Sequence, residues 1–481
     1  MRLRVLPRTG AVALAAACAL LAASCSSSGG GSSAGTTTIT LEGPNQWTNS
    51  GSSFGPAWEH LIAKFEKDNP KIKVKTVVLP LSQFNQTEST QLAAGTAPEL
   101  VFNQASYKPF MVYHLQNDLK KPNPYVPGNK AWIDQFDPAH YSLDKSIDPA
   151  GNVDWMPFNL FEAGVFYNKD AFSKAGVPAP ISTFADLMTA CGKLKAAGYT
   201  PFAMDDSLIG TSWTWNTIAY MMLARHYGDL NAYDTAGKPG SNPQLTSKDW
   251  AKAILTKQIT SKTPEVTESL KLLKQFYGTC VTKNWSGITG TSGAMANIKD
   301  FAAGTAAMAW GTDYAPAALP GVKFSFASMP FPTITTDSTP LSTNAPAQFG
   351  ISTGGTSYMI PAKISGDRLK AAIKFLQWMS VGKNIQQWLN ETGAIPAVTD
   401  AHIPAAMQGF TKGAWGEAPK VGGIPQGPPG VTNVSLYDGF LLGSKNMSAE
   451  QSHLQDMWTK AEAQAVKDNG WTNESWAKNT K

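Results

Sequence analysis

Two rhythms alternate along the chain between residues 38 and 102. Thr38 to Leu41 is a short β-rich run. Trp58, Leu61, Ile62 and Phe65 then recur three and four apart, the spacing that sets apolar side chains on one face of a helix, and Pro70 ends it. Ile72 to Val78 alternates as a half-buried strand does. Phe84 to Ala94 returns to helical spacing with Gly95 as its stop, and Glu99 to Phe102 is a buried-strand candidate. Strand, helix, strand, helix, strand predicts an α/β unit with a largely parallel sheet. Asn103-Gln104 then follows the third strand, at the end where such sheets present their ligand loops.

The middle repeats this grammar. Gly164 to Tyr167 predicts a strand, Asn168 opens a helix, and Gly176-Val-Pro178 ends it. Phe184 to Ala197 is amphipathic with Gly198 as its cap, and Trp213 to His226 and Thr267 to Tyr277 predict further helices. Phe301 to Gly304 leads into a strand, Ala306 to Trp310, while residues 234–263 read as a polar, Pro/Gly-rich insertion. Tyr358 to Ile360 is a strand stopped by Pro361, and Leu369 to Met379 a helix with Trp378 on its apolar side; Trp388 is read as core as well. The last hundred residues read as loops until a helix around Leu454 to Val466. No repeat or heptad pattern interrupts this order.

Ahead of the first strand the pattern changes. Arg2, Arg4 and Arg8 precede an apolar stretch, Ala11 to Ala23, that is too short to cross a bilayer as a stable helix. Small residues then lead into a cysteine, Leu21-Ala-Ala-Ser-Cys25, as they do at bacterial lipoprotein processing sites, and Ser26 to Gly35 reads as a Ser/Gly tether. Residues 1–24 are expected to be a signal peptide, Cys25 the lipidated residue, and 25–36 the linker. Cys18 is a weaker competing site because apolar residues follow it. An exported protein, held by acyl groups on the outer face of a cytoplasmic membrane, is the expectation.

Without the three signal arginines, 37 basic residues face 35 acidic ones, and no basic run marks a nucleic-acid partner. Charged residues are 16% of the chain and tryptophans number 15, which favours flat apolar surfaces as ligand-binding elements. Cys191 and Cys280 would meet an oxidising compartment, where a disulfide persists, but spacing alone does not prove that they pair. Neither a zinc pattern nor any other metal or cofactor motif is present. Gly51-Ser-Ser-Phe-Gly55 satisfies G-x-S-x-G without the strand that a nucleophile elbow needs. A secreted glycosidase is the serious enzymatic rival, because two carboxylates such as Asp205 and Glu162 suffice for it. A sugar-sensing or adhesive lipoprotein is a third reading.

At Pro157-Phe-Asn-Leu-Phe-Glu-Ala-Gly-Val-Phe-Tyr-Asn-Lys-Asp170 the chain resembles the extracellular solute-binding proteins of ABC sugar importers, the family 1 or maltose-binding-like class. Lys64 to Asp68 with Ile72 to Val74, Lys193 to Phe202, Gly304 to Gly311, Gly354-Gly355 with Tyr358 to Pro361, and Thr392 to Pro396 complete an ordered set along the mature chain. The resemblance implies a two-lobed α/β fold of the periplasmic-binding-protein type II, with a hinge crossed three times. The crossings are expected near Phe158 to Glu162, Ser328 to Phe331 and Ala394 to Pro396. Residues 37–158 with 331–394 would then form one lobe, and 159–330 with 395–481 the other.

The resemblance further implies a carbohydrate held between the lobes, permease subunits as partners, an ATPase in a separate chain, a monomeric receptor and no catalysis. Sugar recognition needs flat aromatic plates and oriented polar side chains. The loops brought to the cleft offer Asn45, Gln46 and Trp47; Asn103 and Gln104, with Tyr107 near; Glu162 at the first crossing; Asp205 and Trp215; and Trp310 with Asp313 and Tyr314. Gly354 and Gly355 would allow close backbone approach, and Tyr437 lies on a late loop. Each has a competing structural role: Trp47, Trp215 and Trp310 as core, Glu162 as a hinge partner, and the glycines as a tight entry to a strand. The aromatics and the near-neutral charge favour a neutral mono- or oligosaccharide over an acidic one, and two or more indoles favour an oligosaccharide slightly.

Overall fold

A computed structural model of the chain describes residues 35–44, 53–104, 106–148, 150–288, 293–428, 431 and 433–478. The expected lipidation site Cys25, the competing Cys18 and the candidates Asn45, Gln46 and Trp47 lie outside the described residues. Eleven strands occur among those described. They are β1 (Thr37–Pro44), β2 (Ile72–Leu79), β3 (Leu100–Phe102), β4 (Trp155–Pro157), β5 (Asn159–Leu160), β6 (Ala163–Asn168), β7 (Thr200–Ala203), β8 (Ala306–Thr312), β9 (Phe326–Met329), β10 (Ser357–Met359) and β11 (Ile395–Pro396).

Two sheets form the lobes. The first has the order β2-β1-β3-β10-β4, with β1 parallel to β2 and β3, and β10 antiparallel to β3 and β4. The second has the order β7-β8-β6-β9, with β7 parallel to β8 and β6 antiparallel to both its neighbours. Between them β5 and β11 pair antiparallel, Leu160 opposite Ile395 and Asn159 opposite Pro396, so the first and last crossings make a two-stranded hinge.

The apolar spacing read from the sequence is what covers these sheets. Helix Pro56–Asp68 buries Trp58, Leu61 and Phe65. Phe65 meets Phe375 and Trp378 of helix Gly366–Met379 edge-on at 4.9 and 5.5 Å, and Trp58 meets Trp388 of helix Gly382–Thr392 at 5.3 Å. Removing one such buried ring costs about 3–5 kcal/mol. In the second lobe, the Asn168 side chain accepts from the Asp170 and Ala171 amides at 2.9 and 3.0 Å and so starts helix Lys169–Ala175. Gly176 ends it at φ 62°, a left-handed turn that favours glycine. Cys191 and Cys280 are disulfide-bonded, with Cα atoms 5.3 Å apart, and tie helix Phe184–Ala196 to the end of helix Pro264–Cys280. Closing a loop of 89 residues contributes about 2–5 kcal/mol.

Three local expectations change. The region 234–263 contains helix Ser247–Leu255, started by a reciprocal Thr246–Asp249 capping box and pinned by Trp250, whose indole N–H donates to the Gly422 carbonyl at 2.8 Å. The late chain holds helix Asn433–Leu441, and helix Met447–Asp468 begins ahead of the apolar spacing that marked it.

The second crossing also comes later than Ser328 to Phe331. After β9 the chain stays on the second sheet: Phe331 stacks on Trp310 with ring centroids 5.5 Å apart and planes 4° from parallel, and Thr333 bridges Thr183. Phe349 and Ile351 donate to the carbonyls of Trp415 and Gly416 at 3.0 Å, and only then does Ser352 bridge Phe161. Residues 331–352 therefore belong with the second sheet rather than with the first. The driving force is burial of Phe331 against Trp310, which a chain leaving at that point would forfeit.

Candidate functional site

The hinge is knotted by one buried polar cluster. Asn159 of β5 donates from Nδ2 to Asp313 Oδ2 at 2.7 Å, while its Oδ1 accepts from the Thr356 amide at 2.8 Å. The Asp313 amide donates to the Glu162 carbonyl at 3.0 Å, and the Glu162 amide donates to Asp313 Oδ1 at 3.4 Å. Glu162 Oε1 accepts from the Ala163 amide at 2.9 Å; its Oε2 is buried with no hydrogen-bond partner. Tyr314, next in the chain to Asp313, is buried as well. Residues of all three crossings and the end of β8 thus converge on Asn159.

Backbone proximity explains two of the glycines here. A Cβ on Gly355 would stand 2.4 Å from the Asn159 carbonyl oxygen. At Gly393, φ is 82° and a Cβ would stand 2.3 Å from Pro316 and 2.9 Å from the Asp313 carbonyl oxygen. Gly354, by contrast, is exposed.

Glu162 and Asp313 are both 0% exposed. Burial pushes Glu162 up to about 9; the Ala163 amide and the Trp415 indole oppose this, and the Asp313 charge adds to it. Burial likewise pushes Asp313 up to about 8, against the hydrogen bonds from Asn159 and the backbone. Two carboxyls in one dry pocket cannot both ionise cheaply.

The other expected residues fall into separate places. Asn103 turns away from β3 with its amide donating to the Ser357 carbonyl at 2.9 Å, and Gln104 is exposed beside it. Tyr107 is half-buried, and burial and the nearby Asp154 charge push its phenol up; Asp154 itself meets His114 Nδ1 at 2.7 Å. Asp205 is buried, accepting from the Asn297 amide at 2.6 Å and from the Ser207 hydroxyl, so it fastens a loop. Trp215 packs against Tyr437 at 4.6 Å, and both are buried. Trp310 is enclosed between Phe331 and Trp415, with its indole N–H on Thr214 Oγ1 at 2.7 Å. The rim faces expected of Trp215, Trp310 and Tyr437 are thus turned into packing: Trp215 of helix Leu208–Leu223 covers Tyr437, and Trp213 of the same helix stands against Trp310.

Three residues that the sequence did not single out, Asn159, Trp415 and Phe349, matter here, with Trp213, which the sequence offered beside Trp215 as a pair of which one is core. Asn159 stood as a polar residue between apolar neighbours inside the quoted Pro157-to-Asp170 run, which was its one signal. Trp415 donates its indole N–H to the Ala163 carbonyl at 2.9 Å from a Gly-flanked loop with no periodicity. Trp213 and Phe349 are half-buried and meet edge-on at 5.6 Å. A crevice of about 490 Å³ lies between Phe54 and His60 on one side and Pro316 to Pro320 on the other, with Glu391 paired to His60 at 3.1 Å on its rim. Among the described residues, no group of three or more His, Cys, Asp or Glu side chains is placed to hold a metal ion.

The family model for "Bacterial extracellular solute-binding protein" matches residues 49–381. The chain belongs to this bacterial solute-binding family. It is 24% identical to the multiple sugar-binding protein of Streptococcus mutans over 366 residues, 75% of each chain. Over 379 residues it is 24% identical to the sn-glycerol-3-phosphate-binding periplasmic protein of Escherichia coli, 76% of each. It is 27% identical to an uncharacterized ABC transporter extracellular-binding protein of Pyrococcus horikoshii, covering 52% of that protein's length and 44% of this chain. The fold is similar to RafE in complex with raffinose (TM-score 0.59, 19% identity, covering 88% of this chain and 99% of that one). It is also similar to a chitin oligosaccharide binding protein (TM-score 0.58, 16% identity, covering 89% and 100%). Relatives and neighbours alike are solute-binding proteins, so the two-lobed reading and the family stand on sequence and on fold together.

The raised hinge carboxyls give a pH dependence with a definite sign. The native state binds protons that the unfolded chain releases above the ordinary carboxylate range near about pH 4. Stability is therefore fullest below that range and falls as pH rises toward the native value of about 9 for Glu162. Glu162→Gln removes this term. Melting temperatures recorded from pH 5 to 9 are expected to fall less steeply for Glu162→Gln than for the parent; parallel curves would show that Glu162 carries no such burden.

Proposed function

We propose that this protein is the receptor of an ABC importer, tethered by lipid on Cys25 outside the cytoplasmic membrane. It binds a neutral oligosaccharide between its lobes without converting it and presents the closed form to permease subunits, with ATP hydrolysis in a separate chain. The observation that carries the ligand class is that, among the described residues, no lysine or arginine stands in the set that converges on Asn159. The hinge therefore offers a phosphate no counter-charge, although one relative is named for sn-glycerol-3-phosphate. The names of other relatives and neighbours, a multiple sugar-binding protein, a raffinose complex and a chitin oligosaccharide binder, support the same class.

The same cluster supports the absence of conversion. A glycosidase needs one carboxyl ionised and a second able to give up a proton to the leaving oxygen, both facing substrate. Here Asn159 engages Asp313, and Glu162 faces the Ala163 amide. Among the described residues no helix is long and apolar enough to cross a membrane, so a lipid on Cys25 would be the attachment.

A thermal-shift screen decides the ligand class. A neutral oligosaccharide at a hundred times its Kd should stabilise the protein by about 2.7 kcal/mol, whereas sn-glycerol 3-phosphate should not shift it. Stabilisation by the phosphate and by no sugar would overturn the reading, and shortened sugar products after incubation would overturn its non-catalytic part. For the anchor, Cys25→Ala expressed in a bacterial host should leave the membrane fraction or remain unprocessed. Partitioning unchanged from the parent would place the attachment elsewhere.

A further inference from the structure

Helix Leu81–Ala94 breaks its own apolar pattern at the middle of its core-facing stripe. Among its described side chains Phe84, Glu88 and Leu92 are the buried ones, and their spacing of four puts them on one face. Phe84 meets Phe102 of β3 edge-on at 6.1 Å, and Leu92 packs in a cluster with Val101 and Met359. Between these two apolar anchors stands a carboxyl that is 0% exposed. A buried acid at such a position is costly unless something compensates it.

Nothing among the described residues does. Both oxygens of Glu88 are buried without a hydrogen-bond partner, and so are Glu42 Oε1 at the end of β1 and the Tyr358 hydroxyl on β10. Gln91, three residues beyond Glu88 on the helix, adds a fourth side chain whose carbonyl oxygen is buried and unpartnered. The groups lie together. Burial first, and then the adjoining Glu42 carboxyl, push Glu88 up to about 9. Burial also pushes the Tyr358 phenol up, and Tyr314, Glu42 and Glu88 add to it. No lysine, arginine or histidine is among the groups that act on Glu88 or Tyr358. Oxygens from one helix and two strands of the first lobe therefore face one another with no donor and no counter-charge.

We propose that Glu42, Glu88, Gln91 and Tyr358 form a calcium site inside the first lobe, apart from the hinge and its carboxyls. A proton shared by the two glutamates would supply one donor and leave the second Glu88 oxygen and the Gln91 carbonyl bare. A single cation meets all of these oxygens and cancels both charges. The set holds oxygen alone, which selects a hard cation over zinc or copper. Two carboxylates match a divalent ion. Ligands drawn from three separate elements suit the flexible six to eight oxygens of calcium, with water completing the shell, better than the rigid octahedron of magnesium. With only two charged ligands the affinity belongs to the weak, extracellular class, with Kd about 0.1–1 mM. The ion would tie the end of β1 to the helix and to β10 as a structural element, and this role does not depend on which solute the protein binds.

The test uses the full-length protein, stripped with chelator and then followed by thermal melting and calorimetric titration against calcium chloride, with magnesium chloride in parallel. Calcium should raise the melting temperature and titrate as a single ion per chain, and magnesium should bind more weakly. Glu88→Gln should abolish the response. Tyr358→Phe keeps every ring contact and should weaken calcium about tenfold, the loss of one hydrogen bond to a charged group. Glu88→Leu completes the apolar stripe, so it should melt above the chelated parent and ignore calcium. A parent that melts alike in chelator and in calcium would overturn the site, and Glu88→Leu melting above that parent would then mark the glutamates as a proton-sharing core pair. A calcium response retained at parent strength by Tyr358→Phe and by folded Glu88→Gln would overturn it as well.

Discussion

The hydrogen bond from Asn159 to Asp313, buried where the crossings meet, is the constraint on which the rest of the molecule depends. It joins the first crossing to the end of β8, and the other side of the same amide accepts from the second crossing at Thr356. Gly393 brings the third crossing against the Asp313 carbonyl, and β11 seals it to β5. Removing one partner leaves the other's buried polar group unsatisfied, which costs about 1–3 kcal/mol. The surface pair His60–Glu391 joins two helices of the first lobe and is worth about 0–1 kcal/mol. Geometry at the hinge is therefore set by the buried cluster.

This arrangement links recognition to shape. Glu162 precedes β6 and Asp313 follows β8, both beside the β5–β11 pair, so under the proposed function a ligand held near them would bear on both lobes. A ligand can shift an open–closed equilibrium only by its difference in affinity for the two states. Contacts supplied by both lobes at once provide that difference. The dry environment that raises both carboxyls makes each hydrogen bond formed there stronger than it would be in water.

The sequence carried most of the fold and less of the site. Apolar spacing located the strands and helices of the first lobe, because Trp58, Leu61 and Phe65 repeat along a helix and Ile72 and Val74 alternate along a strand. Helix Ser247–Leu255 escaped notice because its signal is a four-residue capping box inside a Pro/Gly-rich stretch. The second crossing was misplaced because the Met329-Pro-Phe-Pro-Thr333 run reads as an exit from a strand, whereas stacking of Phe331 on Trp310 keeps it on the sheet. The resemblance pointed to Glu162, Asp313 and Tyr314 as ligand residues; Glu162 and Asp313 meet at the hinge around Asn159. The orientation of the tryptophans was not legible. Trp213 and Trp215 are two apart on one helix, so a rotation of the helix decides which is buried, and only tertiary packing fixes that rotation.

The most direct test of the hinge account is small-angle X-ray scattering on the full-length protein with and without saturating oligosaccharide, alongside Asn159→Ala. The account predicts that the parent contracts when ligand binds, and that Asn159→Ala contracts less at equal saturation, since the knot that fixes the closed geometry is missing. A parent whose radius of gyration is the same in both conditions, or a variant that closes as fully as the parent, would contradict it.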